Sequence, residues 1–276
     1  MNMSYYIREL LIIIPMAILA ASIKIIYNTI KAKANSKENI APSLIPDDVP
    51  YYRDISFHGD FLLPFYAAKK EGIMEEKGLI SAFILKWLLE KRITFIPIEK
   101  EAFDLNKNDN FYIDISNLET TGNLEEDNFI KYLRNASDGK KVSLRKFKYW
   151  CISNSGSIKE CYVLAHKSSK QKLIDEGYII DSAEEAIKRG LNCSVIYTDK
   201  LIEELTKLKG LKRYLSDMSL LEEKLSKDVH LWETYLIIAS MYGIANKTFN
   251  QLDGGLSNLD LSSFYEIMDI FHDFRI

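Results

Sequence analysis

Residues 10–27 constrain this chain more than any other stretch, because they read LLIIIPMAILAASIKIIY. The run carries no charge before Lys24. A helix of that length would span about 27 Å, close to the ~30 Å hydrocarbon core of a bilayer. Lys24, one turn from the end, can extend its ammonium group to the lipid headgroups. The sequence therefore predicts a transmembrane anchor within residues 1–34.

The charges on either side of this run predict its orientation. Arg8 and Glu9 nearly cancel on the N-terminal side, whereas the C-terminal side carries lysines at positions 24, 31, 33 and 37. Because lysine-rich flanks usually stay in the cytosol, we expect a single-pass protein of the cell membrane, with its N-terminus outside and the following chain cytoplasmic. Two alternatives stay open: a signal peptide cleaved near residues 20–22, and a buried helix of a soluble protein.

The composition favours a globular, helix-rich and acidic body after the anchor. Hydrophobic residues make up 47% of the 276 residues, with only 12 glycines and 6 prolines. Residues 1–34 hold four cations and one anion, so a net charge of −3 for the chain leaves −6 for the remainder. An acidic body makes nucleic acid an unfavourable main partner, because phosphate binding needs clustered cations. Three cysteines without a CxxC spacing fit reduced cytosolic thiols.

Breaks in the pattern divide the rest of the chain into three predicted segments. Residues 35–50 read NSKENIAPSLIPDDVP, which is polar with three prolines and predicts a linker. Residues 51–120 predict a winged-helix-like domain, and residues 121–276 predict a helical domain. The expected fold class is mainly α with a small β-ribbon, preceded by the transmembrane helix.

The winged-helix prediction depends on the order of elements in residues 51–120. These are a helix at residues 60–70 capped by Asp60, a helix at 79–91, and two β-branched runs at 93–98 and 111–115. A DNA-reading helix needs outward Arg, Lys, Asn or Gln side chains, and the second helix offers only Lys86. A winged helix that contacts protein, or is purely structural, is therefore favoured over one that reads DNA.

Residues 143–152 predict a short basic amphipathic helix within the helical domain. Its basic face would hold Lys141, Arg145 and Lys148 at i, i+4 and i+7, and its apolar face Leu144, Phe147 and Cys151 at i, i+3 and i+7. The basic face is a candidate contact for anionic lipid headgroups or for an acidic protein partner. The alternative interpretation is an ordinary solvated face above a core-facing one.

Catalytic motifs are absent from the sequence. There is no Walker loop, no GxSxG and no HExxH, and the four histidines show no ligand-pair spacing. The paired carboxylates at positions 47–48, 75–76 and 125–126 are typical of solvated acidic faces. The sequence therefore predicts no metal, no cofactor and no catalytic residue, although an enzyme with an unrecognised site stays open.

Several short stretches carry a family resemblance. They are YYRDI (residues 51–55) followed by Gly59 and Asp60, AFILKWL (82–88), GLKRYL (210–215), LWETYL (231–236) and GIANK (243–247). With these the chain resembles the cytosolic C-terminal region of the YciQ-like predicted membrane proteins, domain of unknown function 2207. The signature residues are Arg53, Asp54, Asp60, Lys86, Trp87, Gly210, Tyr214, Trp232, Tyr235 and Gly243.

The resemblance implies a membrane anchor followed by a cytosolic helical and winged-helix-like region. It also implies an extracytoplasmic β-rich domain ahead of the anchor, which we expect on a separate chain if it is present at all. The resulting prediction is a single-pass, membrane-anchored cytosolic interaction or scaffold protein with a protein partner. A membrane-tethered winged-helix nucleic-acid binder and an enzyme are the alternatives.

Overall fold

The computed structural model describes residues 45–98, 111–190, 194–217, 229–245, 247 and 248. The predicted transmembrane helix at residues 10–27, the first part of the predicted linker and the final helix predicted at 261–274 lie outside these residues. Within the described residues, no helix combines the length and the apolar character that crossing a bilayer requires.

Helices dominate the described residues, with two small sheets between them. The helices are α1 Phe65–Lys70, α2 Gly78–Leu89, α3 Leu124–Ala136, α4 Leu144–Ser153, α5 Ser155–Asp175, α6 Ala183–Lys188, α7 Asp199–Asp217 and α8 Val229–Met241. The strands are β1 Thr94–Pro97, β2 Phe111–Asp114, β3 Lys141–Ser143, β4 Ile179–Asp181 and β5 Val195–Tyr197. The prediction of a mainly helical chain with a small β-ribbon is confirmed for these residues.

The ribbon predicted from the two β-branched runs is the pair β1 and β2. The strands are antiparallel, with Phe95 opposite Ile113. A third strand, β3, pairs with the other edge of β2 and places Val142 opposite Ile113. Because β3 follows α3 in the chain, the sheet joins residues on both sides of position 120. The winged-helix arrangement and the domain boundary at 120 stay predictions.

Strand β3 is a correction to the prediction that residues 121–276 form a helical domain. It has only three residues, and Val142 is its one buried side chain. A single apolar position shows no alternation, so the sequence does not predict a strand here. The strand forms because it pairs with the free edge of β2. The short pair β4 and β5 was also missed, because strands of three residues are too short to show a β pattern.

Helix α2 is the centre of the core. Nine of its twelve residues are buried, among them Ser81, Ala82 and Leu85. It packs against α8, and its Phe83 ring lies 5.2 Å from the ring of Phe129 on α3. A helix that is apolar on every side is expected to be enclosed by other elements, and α2 meets this expectation.

Candidate functional site

Residues 45–54, called the leading segment below, lie against helix α7. Ile45 and Val49 are buried. The Lys209 ammonium donates to the Pro46 carbonyl at 2.7 Å, and the Arg213 guanidinium donates to the Val49 carbonyl at 2.6 Å. Residues 45–50 belong to the predicted linker, yet cations of α7 bind their backbone. The chain is therefore held in place from residue 45, directly after the part of the linker outside the described residues.

An aromatic cluster on α7 and α8 holds the end of the leading segment. The Tyr235 hydroxyl donates to the Arg53 carbonyl at 2.5 Å, and the Arg53 guanidinium lies 5.3 Å from the centre of the Tyr214 ring. The Trp232 ring lies 5.3 Å from the Tyr235 ring. Burial raises the pKa of Tyr235 to about 12, so this hydroxyl stays a donor at neutral pH. Four signature residues thus form one structural contact.

Gly210 brings α7 close to the leading segment. A Cβ atom at this position would lie 2.4 Å from the Pro50 carbonyl oxygen and 2.4 Å from Cδ2 of Tyr52. Real Cβ contacts are never this short, so only glycine lets the segment cross the helix here. Gly243, with φ +72°, follows the end of α8, and a Cβ there would lie 2.7 Å from the Glu75 carboxyl carbon. Both signature glycines are therefore explained by backbone geometry.

Gly210→Ala is expected to detach the leading segment while most of the fold survives. Hydrogen exchange of the amides in residues 45–55 should accelerate by at least tenfold, because the Pro50 carbonyl must move away from α7. Gly156→Ala is the control, since a Cβ at Gly156 meets no atom within 4 Å. Unchanged exchange in Gly210→Ala would contradict the close crossing.

Glu126, at the start of α3, is a buried carboxylate that three donors surround. Its side chain is only 4% exposed, and it accepts from the Lys86 ammonium at 2.6 Å, from Trp87 Nε1 at 2.7 Å and from Arg92 Nη1 at 2.6 Å. Burial raises its pKa, but these hydrogen bonds more than offset burial and hold the pKa below its ordinary value. The prediction that residues 125–126 form a solvated acidic face is therefore wrong, because Glu125 is also buried.

The two signature residues of α2, Lys86 and Trp87, both donate hydrogen bonds to this carboxylate. Lys86 also lies 3.8 Å from Glu90. The one cation of α2 that could contact a DNA base is therefore paired with two acidic side chains. Sequence reasoning missed Glu126 because its partners lie 34 to 40 residues away in the chain. A lysine and a tryptophan inside an otherwise apolar helix were the available signal that a buried acid is needed.

Asp54 and Asp60, the remaining signature residues, sit at the surface. Oδ1 of Asp60 accepts from the backbone amides of Leu62 and Leu63 at 2.8 and 3.1 Å, which closes a turn. Helix α1 begins only at Phe65, so Asp60 does not cap it as predicted. Pro64 precedes the first helical residue, where its missing amide proton costs little.

The predicted basic face needs one correction, because Lys141 is not part of the helix. It lies in strand β3 opposite Asp114, and α4 begins three residues later at Leu144. Arg145 and Lys148 do lie on α4, and its buried side carries Phe147 and Cys151 as predicted. The role of the three cations in binding stays a prediction.

The outward side of α4 also carries two large apolar side chains. Tyr149 is 58% exposed and Ile152 is 56% exposed. With Arg145 and Lys148 they follow the i, i+3, i+4, i+7 spacing of one helix face, within an arc of about 100°. The Arg145 guanidinium lies 5.6 Å from the centre of the Tyr149 ring. These four residues are called the α4 face below. The sequence pattern located the cations of this face but did not assign Tyr149 or Ile152 to it.

A cleft lies between α3 and α5. It encloses about 570 Å³ and is lined by Tyr132, Val163, Lys159, Lys167 and Cys161, among others. Burial raises the pKa of the Cys161 thiol to about 12, so it is protonated at neutral pH and a poor nucleophile. Among the described residues, no group of three or more His, Cys, Asp or Glu side chains is placed to hold a metal ion.

Comparison with known proteins places the C-terminal part of the chain in a family. Residues 190–252 match the family model described as the C-terminal domain of a predicted membrane protein, DUF2207. This range includes α7 and α8, which bind the leading segment, and it confirms the resemblance to domain of unknown function 2207. No curated protein and no solved structure matches the chain.

Proposed function

We propose that this chain, which shares the C-terminal domain of the DUF2207 predicted membrane proteins, is a membrane-anchored interaction or scaffold protein. One helix at residues 10–27 would cross the cell membrane, with the N-terminus outside. The described body would lie in the cytosol and bind a protein partner. The observation that carries the proposal is the family match, because the family is one of predicted membrane proteins.

The attachment of the leading segment supports the anchored arrangement. Residues 45–54 are held by α7 and α8, so the body begins within 20 residues of the predicted anchor. Fully extended, residues 28–44 reach at most about 60 Å. A body fastened this early in the chain would stay close to the bilayer surface rather than range through the cytosol.

The side-chain chemistry favours binding over the two alternatives. The helix that a DNA-reading winged helix would use, α2, is enclosed, and its Lys86 is bound to Glu126. The cleft offers a buried protonated thiol rather than an activated nucleophile. Neither observation supports a nucleic-acid binder or an enzyme, whereas an exposed basic and apolar helix face supports a binding role.

Fractionation of the full-length chain tests the anchor. We expect the protein to sediment with membranes, to resist extraction at alkaline pH and to dissolve in detergent. Placing arginine at Ile18 and Leu19 should release it, because each charge at the centre of a spanning helix costs ~3 kcal/mol on insertion scales. Ile40→Arg, in the linker, is the matched control.

Protease protection then tests orientation, and mass spectrometry tests cleavage. Protease added to intact spheroplasts should spare the body, and protease added to inside-out vesicles should digest it. A soluble full-length chain with an intact N-terminus would refute the anchor. A mature chain that begins near residue 22 would instead identify a signal peptide.

A further inference from the structure

We propose that the α4 face binds the anionic headgroups of the bilayer to which the chain is tethered. This inference rests on the proposed function, since the anchor supplies the membrane. It commits to one occupant, an anionic lipid surface, and it names the part of the body that touches it. Arg145, Lys148, Tyr149 and Ile152 form the contact, with Lys141 from β3 adding a further cation.

The first argument is the composition of the face. Cations beside an exposed tyrosine and isoleucine match an interface that is negatively charged at its surface and apolar just below it. Tyrosine favours the headgroup level of a bilayer, where its ring is in lipid and its hydroxyl in water. An acidic protein would also attract the cations, so the exposed Tyr149 and Ile152 beside them are what favour a bilayer.

The second argument is that contacts on its other sides hold α4 in the fold. The helix is fixed from the other side by Phe147 and Cys151, which are buried, and by a side-chain cap from Ser143. Trp150, on a third side, lies 5.4 Å ring to ring from Tyr132 of α3. Tyr149 and Ile152, in contrast, expose more than half of their surface to solvent.

The third argument is charge. The chain after residue 34 is net acidic, so an anionic bilayer repels it as a whole, and a local cluster is needed for contact. Lys141, Arg145 and Lys148 occur within eight residues of sequence and are exposed or half-buried. The tether raises the effective concentration of lipid at this cluster, so even a weak contact would be populated.

The experiment uses the full-length chain in lipid nanodiscs. A photo-crosslinking benzoylphenylalanine replaces Ile152, and lipid adducts are counted by mass spectrometry. Discs contain either phosphatidylcholine alone or phosphatidylcholine mixed with phosphatidylserine. We expect adducts mainly in the phosphatidylserine discs and a decrease with added salt.

Two matched triple variants, made in the crosslinking chain, test the cations. Lys141→Glu, Arg145→Glu and Lys148→Glu together should abolish the phosphatidylserine-dependent adducts. The control combines Lys91→Glu, Lys131→Glu and Lys188→Glu, which changes the net charge equally at exposed lysines outside β3 and α4 and should leave adducts unchanged. Tyr149→Ser, which adds no charge, should also reduce the adducts. This variant keeps the test valid if the triple variant misfolds.

The outcomes separate this inference from the proposed function. A chain that enters discs but gives equal adducts in both lipids, or none, overturns the α4 face and leaves the anchor intact. A chain that fails to enter discs overturns the anchor. The same material is then mixed with phosphatidylserine vesicles, where the reversed triple should bind about 100-fold more weakly than the control triple if the face binds lipid. Equal sedimentation of the two triples would overturn it.

Discussion

Replacing Gly78 by alanine is expected to lower the free energy of unfolding by ~3 kcal/mol, the largest loss we expect from adding one methyl group to this chain. A Cβ atom at Gly78 would lie 2.3 Å from the Ser240 carbonyl oxygen and 2.9 Å from the Met241 Cα atom. Both of these atoms belong to the backbone of α8, so a change of side-chain rotamer cannot relieve the clash. The two helices would have to separate.

Separation of α2 and α8 would also break contacts that depend on their close approach. The Glu75 amide donates to the Met241 carbonyl at 2.7 Å, just before α2 begins. Alanine normally favours a helix over glycine by up to ~1 kcal/mol, which offsets only part of the loss. The expected result is thus opposite in sign to what helix propensity alone predicts.

Chemical denaturation followed by tryptophan fluorescence measures this effect, since Trp87 on α2 and Trp232 on α8 are both buried. Gly156→Ala is again the control, because that position is open and the substitution should be neutral or slightly stabilising. If Gly78→Ala is as stable as Gly156→Ala, the two helices do not cross as closely as described.

The elements that could be predicted are those whose signal is local. The helical domain predicted at residues 121–276 includes residues 124–136, which form α3 because Asn123 caps it and an apolar pattern follows. Residues 79–91 were also predicted as a helix, which agrees with α2 to within two residues at each end. In both cases the information lies inside one stretch of sequence.

The parts that could not be predicted depend on contacts between distant residues. Lys141 fits a helical spacing with Arg145, yet the free edge of β2 makes it part of a strand. Glu126 resembles any surface acid at a helix start until Lys86 and Arg92 are brought beside it. Gly78 and Gly210 look like ordinary helix interruptions, and only the backbone that crosses them explains why no side chain fits.

Replacing Glu126 by alanine is expected to cost about 3 kcal/mol of unfolding free energy. The loss comes less from the hydrogen bonds themselves than from the partners left behind. Trp87 is buried, so its indole N–H would lose its acceptor. Lys86 and Arg92, whose side chains are 26% and 19% exposed, would be left with the more distant Glu90 as their shared counter-charge. Glu184→Ala, at an exposed acid on α6, is the control and should change stability by less than ~0.5 kcal/mol.

Glu126→Gln separates the charge from the shape and predicts a pH dependence. The folded protein holds the pKa of Glu126 below its ordinary value of 4.5, so ionised Glu126 stabilises the fold above that pH. This contribution is lost as the pH falls through the lowered pKa, while glutamine does not titrate. The stability difference between the wild-type chain and Glu126→Gln should therefore be constant near neutral pH and shrink at acidic pH. A difference that stays constant on acidification, or grows, would show that Glu126 stabilises the fold by packing and not by charge.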